Sequence, residues 1–80
     1  MSAVKVTLLV REGCHLCEEF EQTLVEEYGA DAFEIARADV DSNPDWQRRY
    51  GLKIPVLLAD DGSLVCASFV DFDAVRELLR

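Results

Sequence analysis

Cys14 and Cys17 are the side chains in this sequence whose type and spacing offer chemistry. Residues i and i+3 in the first turn of a helix share a face. Two cysteines so placed bring their Cβ atoms within disulfide reach, about 3.5–4.5 Å, and the pair opens and closes with little backbone movement. A Cys14 at or near the N-cap faces unpaired backbone N–H groups and the positive end of the helix dipole, which favours thiolate over thiol. The thiolate is the species that attacks a disulfide. Cys17, one turn deeper, loses that field and reads as the resolving thiol. Glu18 and Glu19 work against an anion at Cys14, so its ionisation is a balance of opposed effects. His15, between the cysteines, either steadies the thiolate as an imidazolium or faces solvent.

Plainer readings compete with this one. The pair can be two structural thiols. A zinc half-site would need further ligands, for which only His15 and Cys66 are available, and no metal is expected. Haem attachment requires His directly after the second cysteine, where Glu18 stands. Cys66 lies in an apolar run and reads as a small buried hydrophobe.

The thiols need a strand before them and a helix after them, and the sequence supplies both. Val4 to Val10 is nearly all apolar or β-branched and reads as an interior strand covered on both faces. Arg11-Glu12-Gly13 is the loop. Leu16, Phe20, Leu24 and Tyr28 recur every four residues along a helix from about His15 to Tyr28, with Gly29 as an αL cap. Phe33 to Val40 alternates loosely and fits a strand near an edge, parallel to the first because a helix-length segment joins them. Asn43-Pro44 opens a short helix ending at Tyr50-Gly51, on which Trp46 either packs over the core or forms a docking face. Ile54 to Ala59 is a third strand, and Asp60 to Ser63 turns it into an antiparallel Leu64 to Ala67. Asp71 caps a last helix, apolar at Phe72, Val75, Leu78 and Leu79, which runs to the terminus. The order is β-α-β-α-β-β-α in one domain, residues 1–80.

Composition narrows the partners. Sixteen acidic against eight basic residues give a net charge of −8, which disfavours nucleic acid and anionic membranes, since both are bound by Lys and Arg. The odd cysteine count, three, does not suit a secreted disulfide scaffold and points to a reducing compartment. No leader-like segment opens the sequence and no apolar run approaches a membrane span, so a cytoplasmic monomer is expected.

The element order, Cys14-x-x-Cys17 after the first strand, and the Ile54-Pro55 step together resemble the thioredoxin fold in its glutaredoxin-sized form. The likeness is greatest to small bacterial glutaredoxin-like proteins with a Cys-His-Leu-Cys motif. It implies an α/β, thioredoxin-like fold with a four-stranded mixed sheet flanked by helices, and a dithiol thiol–disulfide oxidoreductase with no bound cofactor. Its partners would be a disulfide-containing protein or small thiol, and a reductase or glutathione as reductant. Cys14 and Cys17 would be catalytic. The resemblance also implies a cis peptide bond before Pro55, with the main chain of Ile54 turned toward an extended substrate. Arg11 matches a basic position of the glutaredoxin site, and His15 stands beside the nucleophile, so Arg11, His15, Ile54 and Pro55 are the expected substrate contacts. The sequence departs from glutaredoxins at His15-Leu16, where proline and an aromatic are usual. It departs again at Ala67-Ser68-Phe69-Val70, where a Gly-Gly step approaches glutathione. A non-catalytic binding or adaptor module on the same scaffold is the alternative.

Overall fold

Val6 and Leu8 project to one face of β1 (Val4–Val10) and Leu9 to the other, and all three are buried. Burial on both faces makes β1 the strand on which the sheet is laid. The computed structural model describes residues 3–80; the first two residues of the expected domain lie outside the described residues. The four strands run in the order β2-β1-β3-β4. β2 (Phe33–Asp39) pairs parallel to β1, with α1 (His15–Tyr28) as the crossover. β3 (Val56–Ala59) is antiparallel both to β1 and to β4 (Leu64–Ala67). The sheet is therefore mixed, and the expected order of elements is the one observed.

Each face of the sheet has its own apolar layer. On one, Phe20 and Leu24 of α1 and Val75 of α3 (Phe72–Leu78) pack with Val6, Leu8, Leu57 and Cys66. On the other, Leu9, Val56 and Leu58 meet Val40, with Trp46 and Tyr50 of α2 (Pro44–Tyr50) laid over them. Asn43 caps α2 by accepting from the N–H groups of Asp45 and Trp46, and Pro44 occupies the first turn. Among the described residues, no helix is long and apolar enough to cross a membrane.

Four boundaries differ from expectation. β2 stops at Asp39, whose carboxylate accepts from the N–H of Asp41 and starts a 3₁₀ turn (Val40–Ser42) that drives Val40 into the second layer. β3 begins at Val56 rather than Ile54, because Pro55 has no N–H to give a ladder. α3 ends at Leu78; Leu79 caps it, donating to Val75 and Arg76, and Phe72 is 44% exposed instead of joining the buried stripe. Gly29 closes α1 at φ 93°, ψ 153°, outside the αL region and in one that only glycine adopts readily.

Leu57 is fully buried at the centre of the larger layer. Leu57→Ala is expected to cost about 2–5 kcal/mol, read as a lower urea midpoint with an unchanged slope.

Candidate functional site

β1 ends at Val10, and the chain must turn sharply to enter α1. Gly13 makes that turn at φ +80°, a conformation that a side chain would strain. The N–H of Cys14 bonds to the carbonyl of Arg11 at 3.1 Å, closing the loop. Cys14 then takes the N-cap position with extended backbone, and its Sγ accepts a hydrogen bond from the N–H of Cys17 at 3.1 Å. Sulfur here does the work usually given to a Ser or Asp oxygen. The two cysteines are joined as a disulfide, with Cα atoms 5.3 Å apart. Cys17 is 4% exposed and belongs to the buried set, whereas Cys14 is partly accessible. A pocket of about 280 Å³ beside the pair is lined by Arg11, Gly13, Cys14, Cys17, Glu18 and Arg37, among others.

Arg11 is tied back to the fold. Its Nε and Nη2 donate to the two carboxylate oxygens of Asp41, each at 2.8 Å, and Nη1 donates to the carbonyl of Gly51 at 3.1 Å. One planar fork thus links the cysteine loop, the 3₁₀ turn and the end of α2. These hydrogen bonds hold the Asp41 carboxyl below the ordinary carboxylate range and raise the guanidinium of Arg11 further. Gly51 fits this junction because it is bare: a Cβ there would lie 2.5 Å from the carbonyl oxygen of Gln47.

The remaining expected residues divide into two groups. The peptide bond between Ile54 and Pro55 is cis. The register Leu9↔Val56 sets Pro55 beside the end of β1 from which the cysteine loop leaves, so Ile54 and Pro55 share one end of the sheet with Arg11, Cys14 and Cys17. His15 points away into solvent, its Nδ1 3.7 Å from the Glu18 carboxylate. Cys66 is a free, buried thiol on β4. Burial pushes its ionisation up, partly offset by the main-chain N–H of Asp71 bonding to it.

Sequence reasoning missed three participants at this end of the sheet: Asp41, Gly51 and Ser68. Ser68 has φ +73°, the only non-glycine with positive φ among the described residues. Its N–H donates to the carbonyl of Pro55 at 2.7 Å and its Oγ to the carbonyl of Lys53 at 3.1 Å. The chain therefore adopts a glycine-like backbone at the place where the resemblance called for glycine, without having one. Nothing local in the sequence signals it.

The family model described as Glutaredoxin-like domain (DUF836) matches residues 5–80. Among solved structures, protein Ne2328 from Nitrosomonas europaea is 31% identical, with 100% of this chain and 95% of that one covered at a TM-score of 0.85. Protein XcR50 from X. campestris is 26% identical over 92% of this chain and 93% of its own, with a TM-score of 0.69. A mutant thioredoxin from Halobacterium salinarum NRC-1 is 26% identical over 98% of this chain and 73% of its own, with a TM-score of 0.52. No curated protein matches. The expected thioredoxin-like fold is thus the fold found.

Because its folded value is lowered, Asp41 adds stability above the ordinary carboxylate value of 3.8, and that contribution is lost as pH falls through the lowered one. Asp41→Asn is expected to be less stable than the parent at pH 7 and closer to it at pH 3, as measured by urea unfolding at both.

Proposed function

The chain belongs to the glutaredoxin-like domain (DUF836) family, and from that premise and the site's geometry we infer that it is a dithiol thiol–disulfide oxidoreductase. The observation that carries the reading is Cys14 as helix cap: a partly exposed residue whose sulfur accepts from the N–H of Cys17 and is bonded to the sulfur of that buried residue one turn on. The same N–H group and the helix dipole stabilise negative charge when the pair is reduced.

In the forward direction, the Cys14 thiolate attacks one sulfur of a substrate disulfide. The substrate S–S bond breaks, its electron pair leaves on the other sulfur, and that thiolate takes a proton from solvent. Cys17 then loses its proton and attacks Sγ of Cys14. The mixed disulfide breaks, the second substrate thiolate departs, and Cys14–Cys17 is left oxidised. Two electrons have passed to the substrate. A dithiol reductase or a pair of glutathione molecules returns them, and no bound cofactor is required. The direction of flow follows the relative potentials.

Arg11 acts in this reading as a positioning residue, holding the cysteine loop against α2 through Asp41 and Gly51. Ile54 precedes the β3 ladder and offers its main chain to an extended substrate next to Pro55. The site of action we assign is the cytoplasm, where a reducing pool can regenerate the pair.

The reduced chain should turn over 2-hydroxyethyl disulfide when coupled to glutathione or to a thioredoxin reductase. Cys14→Ser is expected to fall to background, and Cys17→Ser to accumulate a mixed disulfide at Cys14 visible by mass spectrometry. No rate with either reductant would sink the assignment in favour of a non-catalytic binding module.

In a chain with Cys17→Ser and Cys66→Ser, which keeps the backbone N–H of residue 17, alkylation of Cys14 should titrate below the ordinary free-thiol value. Titration at or above that value would argue against an activated nucleophile.

A further inference from the structure

An apolar groove of about 320 Å³, separate from the Arg11 pocket, runs between α1 and the segment leading into α3. Leu16, Phe20 and Thr23 line it from α1, and Phe69, Val70 and Phe72 from the other side. In a chain of 80 residues, where core material is scarce, Leu16 is left 61% and Phe69 72% exposed. Large apolar side chains gathered on one wet surface mark a contact site rather than packing. Neither cysteine lines the groove, but Leu16 stands between them in the sequence, so one end of the groove lies at the first turn of α1, which carries the pair. Its far wall is held in place. The two hydrogen bonds of Ser68 fasten that loop to the Lys53 and Pro55 carbonyls, and the positive φ at Ser68 turns the chain just before Phe69.

The charge around the groove selects among occupants. Glu19 lines it, Asp71 and Asp73 flank Phe72 in sequence, and no Lys or Arg is among its lining residues. With a net charge of −8 behind it, this surface repels glutathione, which is anionic overall, and attracts a cation. We propose that the groove is the specificity site for polypeptide disulfides that carry an apolar side chain next to the reacting cysteine and a basic residue close by. This rests on the oxidoreductase reading and names its substrate class. The apolar side chain enters between Leu16 and Phe69, the basic residue meets Glu19, and the substrate cysteine is brought to Cys14. There the Cys14–substrate bond forms as the substrate S–S bond breaks, with the electrons and protons accounted for as above.

The test compares kcat/KM on two synthetic peptide disulfides and on 2-hydroxyethyl disulfide, which is too small to fill the groove. One peptide has Phe beside its cysteine and Lys nearby; the other has Ser and Glu at those places. The Phe/Lys peptide is expected to be favoured about tenfold or more, and by less as ionic strength rises. Leu16→Ser and Phe69→Ser, at exposed positions that do not hold the core, should each shrink that ratio, and Glu19→Lys should reverse the part due to charge. Circular dichroism checks that the variants fold. Equal kcat/KM on both peptides, with the small disulfide still reduced, overturns the groove assignment and leaves the oxidoreductase reading standing. So does turnover of glutathione disulfide as fast as the Phe/Lys peptide. A dimer that Phe69→Ser dissociates would place a second copy of the chain in the groove and also overturns it. Turnover of no disulfide at all defeats both readings.

Discussion

A helix begins with N–H groups that have no partner within it, and this chain answers one of them with a sulfur. Most of the molecule can be understood as what is needed to keep Cys14 at that position. β1 must be buried on both faces to fix where the strand ends. Gly13 must turn the chain, and α1 must pack Phe20 and Leu24 into the core so that its first turn does not fray. The same N–H that caps the helix also polarises the atom expected to react. In the proposed reaction, structure and chemistry draw on one hydrogen bond, and a change that loosens the cap would also withdraw a donor from the reduced sulfur.

The second constraint is register. Because β3 runs antiparallel to β1, the start of one strand lies at the end of the other, and the Leu9↔Val56 pairing brings Pro55 to the cysteine loop. Two further ties finish the surface. Arg11 binds the loop to the 3₁₀ turn and α2, and Ser68 binds the entry to α3 against Lys53 and Pro55. A residue bearing a Cβ in a left-handed conformation costs roughly 1–2 kcal/mol, and the two hydrogen bonds of Ser68 are the local compensation. The loops at this end of the sheet are thus braced rather than free.

Much of this was legible in the sequence because it is local. The near-continuous apolar run of Val4–Val10, the four-residue spacing of Leu16, Phe20, Leu24 and Tyr28, and the Asn43-Pro44 start each report on their own segment, and the elements formed in the expected order. The boundaries that moved did so through single groups: the Asp39 carboxylate, the absent N–H of Pro55, the ψ angle of Gly29. What sequence did not disclose was contact at a distance. Arg11 stands out in the sequence as a cation, yet nothing in its surroundings names Asp41, 30 positions on, as its partner. Ser68 reads as an ordinary polar residue, and its backbone is tied to carbonyls 13 and 15 residues earlier, so the path of the chain there is not announced by a glycine. Leu16 and Phe69 were visible as apolar residues but not as facing walls of a single groove.

Cys66 has a consequence for covalent fidelity. A chain with three thiols that cycles between oxidised and reduced states risks closing the wrong ring, and a misplaced bridge would trap the protein in a dead isomer. Here the third sulfur lies inside the sheet's larger apolar layer, paired in register with Leu57, and its burial keeps it protonated when an exposed thiol would ionise. A buried thiol held protonated is a poor nucleophile in disulfide exchange. The fold thereby sets the third sulfur apart from the bridged Cys14–Cys17 pair.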